Sequence, residues 1–235
     1  MNEQMFETEL IQYITTGTVT NPECLAGIPE FSATGLGNKV VKTKLWKYEP
    51  DIKTTPQLWN NFKTILEQHN QNVLEHPMSE AEFNQVKKII SDLHTPYEAG
   101  QFLYGLNGVS QIEIDLDDGR HVFLTVFDQK EIGAGDTVYQ VVNQIERPAV
   151  INGKMNRRFD TTLLINGLPI IQIEEKRDTH DVNEALNQMH QYIDEGQYGD
   201  IFSVLQILIA MTPNNVKYMA NTTSEKFNKD FAFHW

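Results

Sequence analysis

R-R-F-D-T-T-L-L-I-N-G-L-P-I-I-Q-I-E-E-K, residues 157–176, predicts a β-hairpin in the middle of a sheet. Its two strands, 161–165 and 168–173, are apolar on both faces, as is usual for strands that are covered on both sides. Asn166-Gly167 between them is the strongest short-range signal for a hairpin turn. The hairpin therefore fixes where the flanking residues lie.

The polar residues that flank the hairpin are predicted to meet at one end of it. Asp160 enters the first strand, and Glu174 and Lys176 leave the second. Glu174 and Lys176 are two apart and so project on one face, whereas Glu175 should point away from the site. Two neighbouring carboxylates can hold a hard divalent cation, most plausibly magnesium, and a lysine beside them can stabilise negative charge on a phosphate. The pattern is typical of a metal-dependent phosphodiesterase.

The register of the hairpin sets a condition on this site. A strict two-residue Asn-Gly turn places Asp160 opposite Ile173 and leaves Glu174 on the far face. A one-residue slip reverses that parity. We therefore predict either a three-residue loop with Gly167 in the left-handed conformation or a bulge near Pro169, which cannot donate to a central ladder.

The acidic-x-lysine triplet alone is weak evidence for a site. With 14 lysines and 32 acidic residues among 235, roughly two such triplets are expected by chance. Three occur, at residues 51–53, 128–130 and 174–176. Only the last follows an apolar strand and has an aspartate across an Asn-Gly turn. The simpler interpretation of that triplet is a solvated ion pair at a strand end.

The segment after the hairpin predicts a helix that faces the same site. Asp181-x-x-Glu184 has capping-box spacing, and an apolar stripe continues to about Gly196. Gln188 and Tyr192 are four apart and share one helix face, where they could orient Lys176, a metal ligand or a nucleic-acid backbone. The alternative interpretation is a pair of half-buried polar residues without a role.

These motifs together resemble a known family. The order of Arg158-Phe-Asp160, the N-G-L-P turn, Glu174-x-Lys176 and Gln188-x-x-x-Tyr192 closely resembles the N-terminal nuclease domain of the restriction subunit of type I restriction-modification enzymes. The likeness extends upstream to V-Y-Q-V-V-N-Q at 138–144, similar to the strand before the catalytic aspartate, and downstream to F-A-F-H-W at 231–235.

The resemblance implies roles for individual residues. Asp160 and Glu174 would be the metal ligands and Lys176 the catalytic lysine of a PD-(D/E)xK nuclease, with Gln188 and Tyr192 as its accessory motif. The metal would be Mg²⁺, with Mn²⁺ as the alternative. Phe159 replaces the proline usual before the aspartate, which bears on backbone shape rather than on the ligands. Glu7 is a candidate for a third ligand on the first helix, although a solvated helix glutamate is the better interpretation.

The resemblance also implies partners. The domain would cleave double-stranded DNA in a complex with methylation and specificity subunits, and ATP would act only in helicase-like motor domains that follow in a longer chain. The net charge of −13 opposes strong DNA binding by this domain alone, because phosphate contacts dominate affinity for DNA. The basic residues gather in two places, Lys39–Lys47 and the loop of Lys154, Arg157 and Arg158, and the second lies where a phosphate would approach. We therefore expect other domains or subunits to deliver the DNA.

Composition excludes several other classes of protein. No apolar run could span a membrane, the N-terminus is not a signal sequence, and the single cysteine, Cys24, excludes an internal disulfide and suits a cytoplasmic protein. The seven histidines have no zinc-like spacing. Gly133-Ala-Gly135 lacks the lysine and helix of a nucleotide site and predicts only a turn.

The remaining patterns predict the scaffold. Helices are expected at 6–14, from Thr55-Pro56 to about Leu74, and from Ser79-x-x-Glu82 to about Leu93. Strands are expected near 40–46, at 111–115 and 121–127 as a second hairpin, at 202–211 and at 216–220.

This order of elements indicates an α/β fold with a mixed central β-sheet flanked by helices. The restriction-endonuclease-like core would span 108–222, after a mostly helical N-terminal part at 1–100, in a single domain of 235 residues. Two functions follow. One is a metal-dependent endonuclease domain; the other is a non-catalytic module that positions DNA or docks subunits, with the acidic hairpin end as ordinary surface.

Overall fold

A seven-stranded mixed sheet forms the centre of the molecule. The computed structural model describes residues 2–18, 46–132 and 135–235. The strand order is β1-β4-β5-β6-β7-β8-β9, and β2 pairs with β3 in a separate two-stranded sheet. The strands are β1 (Trp46–Tyr48), β2 (Val109–Asp115), β3 (His121–Asp128), β4 (Tyr139–Arg147), β5 (Arg157–Ile165), β6 (Leu168–Glu175), β7 (Ile207–Thr212), β8 (Asn215–Ala220) and β9 (Phe233–His234). The pairs β1–β4 and β6–β7 are parallel, and the other neighbours are antiparallel.

Helices cover both faces of this sheet. The α-helices are α1 (Glu3–Thr16), α2 (Thr55–His69), α3 (Glu80–Ser91), α4 (Pro96–Tyr104) and α5 (Val182–Asp194). The α1 side buries a small cluster that includes Phe6, Leu163 and Ile173. The opposite side buries the large core, which includes Phe62, Phe159 and Leu186. This arrangement confirms the predicted mixed sheet flanked by helices.

Local signals account for the starts of three helices. Capping boxes occur at Thr54–Gln57, Ser79–Glu82 and Asp181–Glu184, and in each the cap and the N3 side chain satisfy backbone N–H groups at the helix start. Pro56 in the first turn of α2 loses no hydrogen bond there. The helix starts predicted at Thr55, Ser79 and Asp181 are therefore confirmed.

Several predicted elements differ from the structure. The strand expected at 202–211 begins instead with a 3₁₀ helix, Asp200–Val204, and becomes a strand only at Ile207. The apolar side chains of the 3₁₀ helix and of the strand both lie in the core, so hydrophobicity alone does not distinguish the two conformations. The helix expected to reach Leu74 ends at His69. Helix α4 was not predicted, and most of the strand expected near 40–46 lies outside the described residues.

The hairpin formed by β5 and β6 has the predicted turn and the predicted bulge. Asn166 and Gly167 both have positive φ, 50° and 79°, so the connection is a two-residue turn that matches the twist of the strands. Ile165 pairs with Leu168 and Leu164 with Pro169, but Leu163 pairs with Ile171, so Ile170 is the extra residue. The bulge beside Pro169 shifts the register by one residue. Thr161 therefore pairs with Ile173, and Asp160 comes level with Glu174.

Candidate active site at the hairpin end

The structure brings Asp160, Glu174 and Lys176 together at one end of the hairpin. The carboxyl groups of Asp160 and Glu174 lie close enough that, besides burial, the charge of Asp160 raises the pKa of Glu174. Lys176 Nζ lies 3.3 Å from Glu174 Oε1 and donates a second hydrogen bond, 2.9 Å long, to the carbonyl oxygen of Glu175. Asp160 and Glu174 therefore meet, as the predicted one-residue register shift in the hairpin requires.

A break in the neighbouring strand gives Asp160 its place. In β4, Asn143 pairs with Thr161 and Ile145 with Phe159, whereas Gln144 between them has φ of 56°. This left-handed backbone interrupts the alternation of faces in the strand, and it lies beside Asp160. Strained backbone of this kind is concentrated at functional sites, where the surrounding structure holds it in place.

Glu174 is buried and Asp160 is half-buried, and this desolvation alters the ionisation of both carboxyl groups. Glu174 is 0% exposed, and its Oε2 has no hydrogen-bond partner among the described residues. Burial, and next the charge of Asp160, raises the pKa of Glu174 well above its usual value. Burial also raises the pKa of Asp160, against the opposing effects of the Glu175 backbone N–H and Lys176. Like charges this close disfavour double ionisation unless a cation lies between them.

The oxygen atoms at this end suit a hard divalent cation. Carboxylate oxygens of Asp160 and Glu174 and the Glu175 carbonyl are the ligand type that Mg²⁺ and Mn²⁺ prefer. The Lys176 ammonium contacts two of these three groups, which shows that the oxygens attract positive charge. Within the described ranges, no group of three or more His, Cys, Asp or Glu side chains is arranged to hold a metal, so the fit rests on two carboxylates and a carbonyl.

Glu175 lies next to Asp160, contrary to the prediction that its orientation removes it from the site. Its side chain does point to the α1 side, opposite to that of Glu174, but Asp160 borders the same cavity. Its backbone N–H donates to Asp160 Oδ2 at 2.9 Å. Burial, then the charge of Asp160, raises the pKa of Glu175 well above its usual value. Alternation predicts the orientation of Glu175 correctly, but Asp160 at the strand break lies beside it, so this orientation does not remove Glu175 from the site.

We call the cavity over this face the acidic cavity. Its volume is about 570 Å³, and its lining includes Glu3, Glu7, Asp160 and Glu175. Glu7 is 7% exposed, and its Oε1 accepts a 2.6 Å hydrogen bond from Gln144 Nε2. The interpretation of Glu7 as a solvated helix glutamate is therefore wrong. Burial raises its pKa, and the nearby charge of Asp160 adds to this shift.

Residues that sequence reasoning missed support the acidic cavity. Lys53 Nζ donates to the side-chain and backbone oxygens of Asn143, at 2.5 and 2.9 Å, and Tyr48 donates to the same side chain at 2.9 Å. Because Asn143 and Lys53 are 90 positions apart, only the parallel pairing of β1 with β4 brings these groups together. No local pattern indicated them.

Helix α5 places its polar pair against the buried glutamate. Gln188 Nε2 donates to the Tyr192 hydroxyl, and that hydroxyl donates to Glu174 Oε1 at 3.5 Å. Tyr192 is 1% exposed and packs against Phe159, with ring centroids 4.9 Å apart. The two residues form a polar chain that ends on Glu174 rather than on Lys176.

The sequence matches a described protein family over most of its length. The model of the family "Type I restriction enzyme R protein N terminus" matches residues 33–227. That span includes the hairpin, Gln188 and Tyr192, and it leaves out α1 with Glu7.

Curated relatives have concordant names. The chain is 31% identical to the type I restriction enzyme SauMSSORF170P endonuclease subunit of Staphylococcus aureus (strain MSSA476). The match extends over 185 residues, which are 78% of the chain. The chain is 35% identical over 122 residues, 51% of the chain, to the type I restriction enzyme EcoprrI endonuclease subunit of Escherichia coli.

These matches cover 18% and 37% of the two relatives, so the chain corresponds to a minor part of each. No helix among the described residues is long and apolar enough to cross a membrane.

The family match and the named relatives lead to one conclusion. The chain belongs to the family of N-terminal domains of type I restriction enzyme R proteins.

Proposed function

We propose that this domain is the DNA-cleaving module of a type I restriction enzyme and that Asp160, Glu174 and Lys176 are its catalytic residues. The observation that carries the proposal is the fully buried carboxyl group of Glu174, which lies close to the half-buried carboxyl group of Asp160 and 3.3 Å from the lysine ammonium. In a solvated ion pair at a strand end, the carboxylate would be exposed to water and would not lie beside a second carboxyl group. A non-catalytic docking surface would have no reason to retain this arrangement.

Burying charge at this point is costly, and function explains why it is retained. Glu174 has a like charge beside it and an oxygen without a partner among the described residues, and each feature destabilises the fold. A cation held by Asp160 and Glu174 would offset both features. Mg²⁺ is the proposed cation, with Mn²⁺ as the alternative, and when bound it supplies a polarised water and charge neutralisation at the phosphate.

The protein's own residues then have separate tasks. Asp160 and Glu174 hold the cation and fix its position relative to the hairpin. In this proposal Lys176 exchanges its contact with Glu174 for one with the scissile phosphate or the attacking water, where its positive charge stabilises developing negative charge. Tyr192, oriented by Gln188, holds Glu174 Oε1 and is a positioning residue. The product is a hydrolysed phosphodiester bond of double-stranded DNA.

The partners of the domain are part of the same proposal. The net charge of −13 is unfavourable for gripping a polyanion, so the domain should depend on methylation and specificity subunits, and on the rest of the R subunit, to bring DNA to it. ATP would be used in the remainder of a longer subunit rather than at this site.

Removal of the metal tests this proposal. DNA cleavage by a restriction complex that contains this chain should stop in EDTA and return when Mg²⁺ or Mn²⁺ is added in excess. A plasmid cleavage assay with ATP present throughout measures this, and ATP hydrolysis should be followed separately, since it also needs Mg²⁺. Cleavage that persists in EDTA would contradict the proposal.

A further inference from the structure

A second cavity lies beside the acidic cavity and has the opposite character. Its volume is about 670 Å³, and its lining includes Arg147, Arg157, Arg158 and the residues 54–56 at the start of α2. The chain has only five arginines and a net charge of −13, and three of those five line this one cavity. We call it the arginine cavity.

The three arginines differ in how far their charges are already used. Arg157 is bonded to Glu195 through two nitrogens, at 2.6 and 2.5 Å, so its charge is satisfied. Arg158 is exposed and makes no ion pair or side-chain hydrogen bond with any residue in the described ranges. Glu146 faces Arg158 across the β4–β5 ladder and lines the cavity too, yet the two do not pair. Arg158 is therefore free to bind an external anion.

Arg147 provides a second positive group, which is buried in the wall of the arginine cavity. It is 5% exposed, and its Nη atoms donate to Thr55 Oγ1 and to the Gln197 carbonyl, at 2.9 and 2.7 Å. Its Nε is buried without a hydrogen-bond partner among the described residues. Asp200 lies 3.9 Å from Nη1 and is 43% exposed, so it compensates this charge only in part. A buried guanidinium with an unused donor destabilises the fold unless an acceptor reaches it.

The start of α2 adds a favourable field. Thr54 caps this 15-residue helix, and the positive end of its dipole faces the cavity lined by Arg147 and Arg158. Guanidinium groups match a phosphate geometrically as well as in charge. The combination suits an anionic group with two oxygens, such as a phosphodiester, because its oxygens can accept from more than one donor.

Arg158 also lines the acidic cavity, so the two cavities share a wall. It precedes Asp160 by two residues on β5, a separation of about 6.7 Å along an extended strand. Phosphates of one DNA strand advance by about 3.4 Å per nucleotide along the helix axis and are farther apart along the winding strand itself, so this distance corresponds to one or two nucleotides. A DNA strand that ran along β5 with its scissile phosphate at Asp160 would pass over Arg158.

We propose that the arginine cavity binds a backbone phosphate of the cleaved DNA strand, one or two nucleotides from the scissile bond. Arg158 would contact this phosphate, and Arg147 with the start of α2 would supply the field behind it. The inference rests on the proposed nuclease function, since it assumes that the scissile phosphate lies at Asp160. It explains how a domain with an acidic surface holds its substrate locally once DNA has been delivered.

Binding of a fluorescent 25-base-pair duplex to the protein in EDTA, measured by anisotropy at 20–200 mM salt, tests the proposal. Arg158→Ala should weaken binding about tenfold at low salt. The negative slope of log affinity against log salt should also become shallower by about 0.9. Arg158→Lys should keep the slope, because it keeps the charge. Lys88→Ala, a matched loss of one exposed positive charge on α3, should change neither quantity.

Two results would overturn the proposal. One is an Arg158→Ala protein that binds like Lys88→Ala, and the other is a wild-type protein that shows no binding at 20 mM salt. Because EDTA excludes cleavage, these results do not depend on the nuclease function. Absence of cleavage by the wild-type complex, together with an intact effect of Arg158→Ala, would instead reject the nuclease function and leave a phosphate site of another purpose.

The buried arginine can be followed without a substitution that risks unfolding. In ¹⁵N NMR spectra, the Nε–H signals of Arg147 and Arg158 should shift when the duplex is added, and that of Arg120, paired with Asp118 at 2.8 Å, should not. Equal shifts at Arg120 and Arg158 would indicate general attraction of DNA and contradict a specific cavity.

Discussion

Replacement of Asp160, Glu174 or Lys176 by alanine is expected to abolish DNA cleavage and leave the protein folded. Each substitution removes a group that acts on the metal or on the phosphate, so the rate should fall by about three orders of magnitude or more. Folding should survive because the mutual contacts of these residues are strained by burial and like charge rather than stabilising. The assay is plasmid cleavage by the restriction complex, with circular dichroism as the measure of folding.

Conservative variants separate charge from volume. Asp160→Asn and Glu174→Gln keep the side-chain size and should be as inactive as the alanine variants. Tyr192→Phe removes only the hydroxyl that holds Glu174 and should lose about tenfold, as is usual for groups that orient a metal ligand. Lys130→Ala, in another acidic-x-lysine triplet, is exposed and should be fully active. Cleavage retained by all three alanine variants would reject the proposed centre.

Glu175→Gln is expected to stabilise the protein at high pH. Glu175 is 1% exposed, and neither of its carboxylate oxygens has a hydrogen-bond partner among the described residues. The nearby Thr161 hydroxyl acts to lower the pKa of Glu175, but it too has no hydrogen-bond partner among the described residues. A neutral amide should therefore raise the free energy of unfolding by about 1–3 kcal/mol at pH 8.

The gain should depend on pH in a defined direction. The pKa of Glu175 is raised above its usual 4.5. Above that pH the unfolded chain has released the proton while the folded protein still holds it, so the wild-type protein loses stability as the pH rises until the folded group ionises. The difference between Glu175→Gln and wild type should be near zero at pH 4 and largest at pH 8.

Urea unfolding at several pH values, in EDTA, measures this difference. Glu146→Gln, an exposed glutamate on β4, provides the matched control and should show little change at any pH. A gain from Glu175→Gln that is the same at pH 4 and pH 8, or a loss at pH 8, would show that Glu175 is not a source of buried charge.

Local sequence predicted much of the fold because the relevant interactions are local. The Asn166-Gly167 turn and the capping boxes depend on neighbours within four residues, and all of them form. The bulge could be inferred as a necessity, since the two carboxylates could not otherwise meet. Its position at Ile170 also depended on Pro169, which excludes a regular central ladder.

The parts of the site that were missed depend on distant contacts. The burial of Glu7 against Gln144 and the burial of Arg147 against the start of α2 both join segments more than 50 residues apart. Glutamate and arginine are usually exposed, and sequence patterns do not show that the fold buries Glu7 and Arg147. Glu175 points as alternation predicts, but it borders the site because Asp160, at the strand break, lines the same cavity.

Crystals soaked in Mn²⁺ give the most direct test of the central claim. An anomalous difference map should show manganese bonded to one carboxylate oxygen from each of Asp160 and Glu174, with Lys176 displaced from Glu174. A map with no manganese at that position, or with manganese held by Glu7 and Glu175 while Glu174 is left out, would contradict the account.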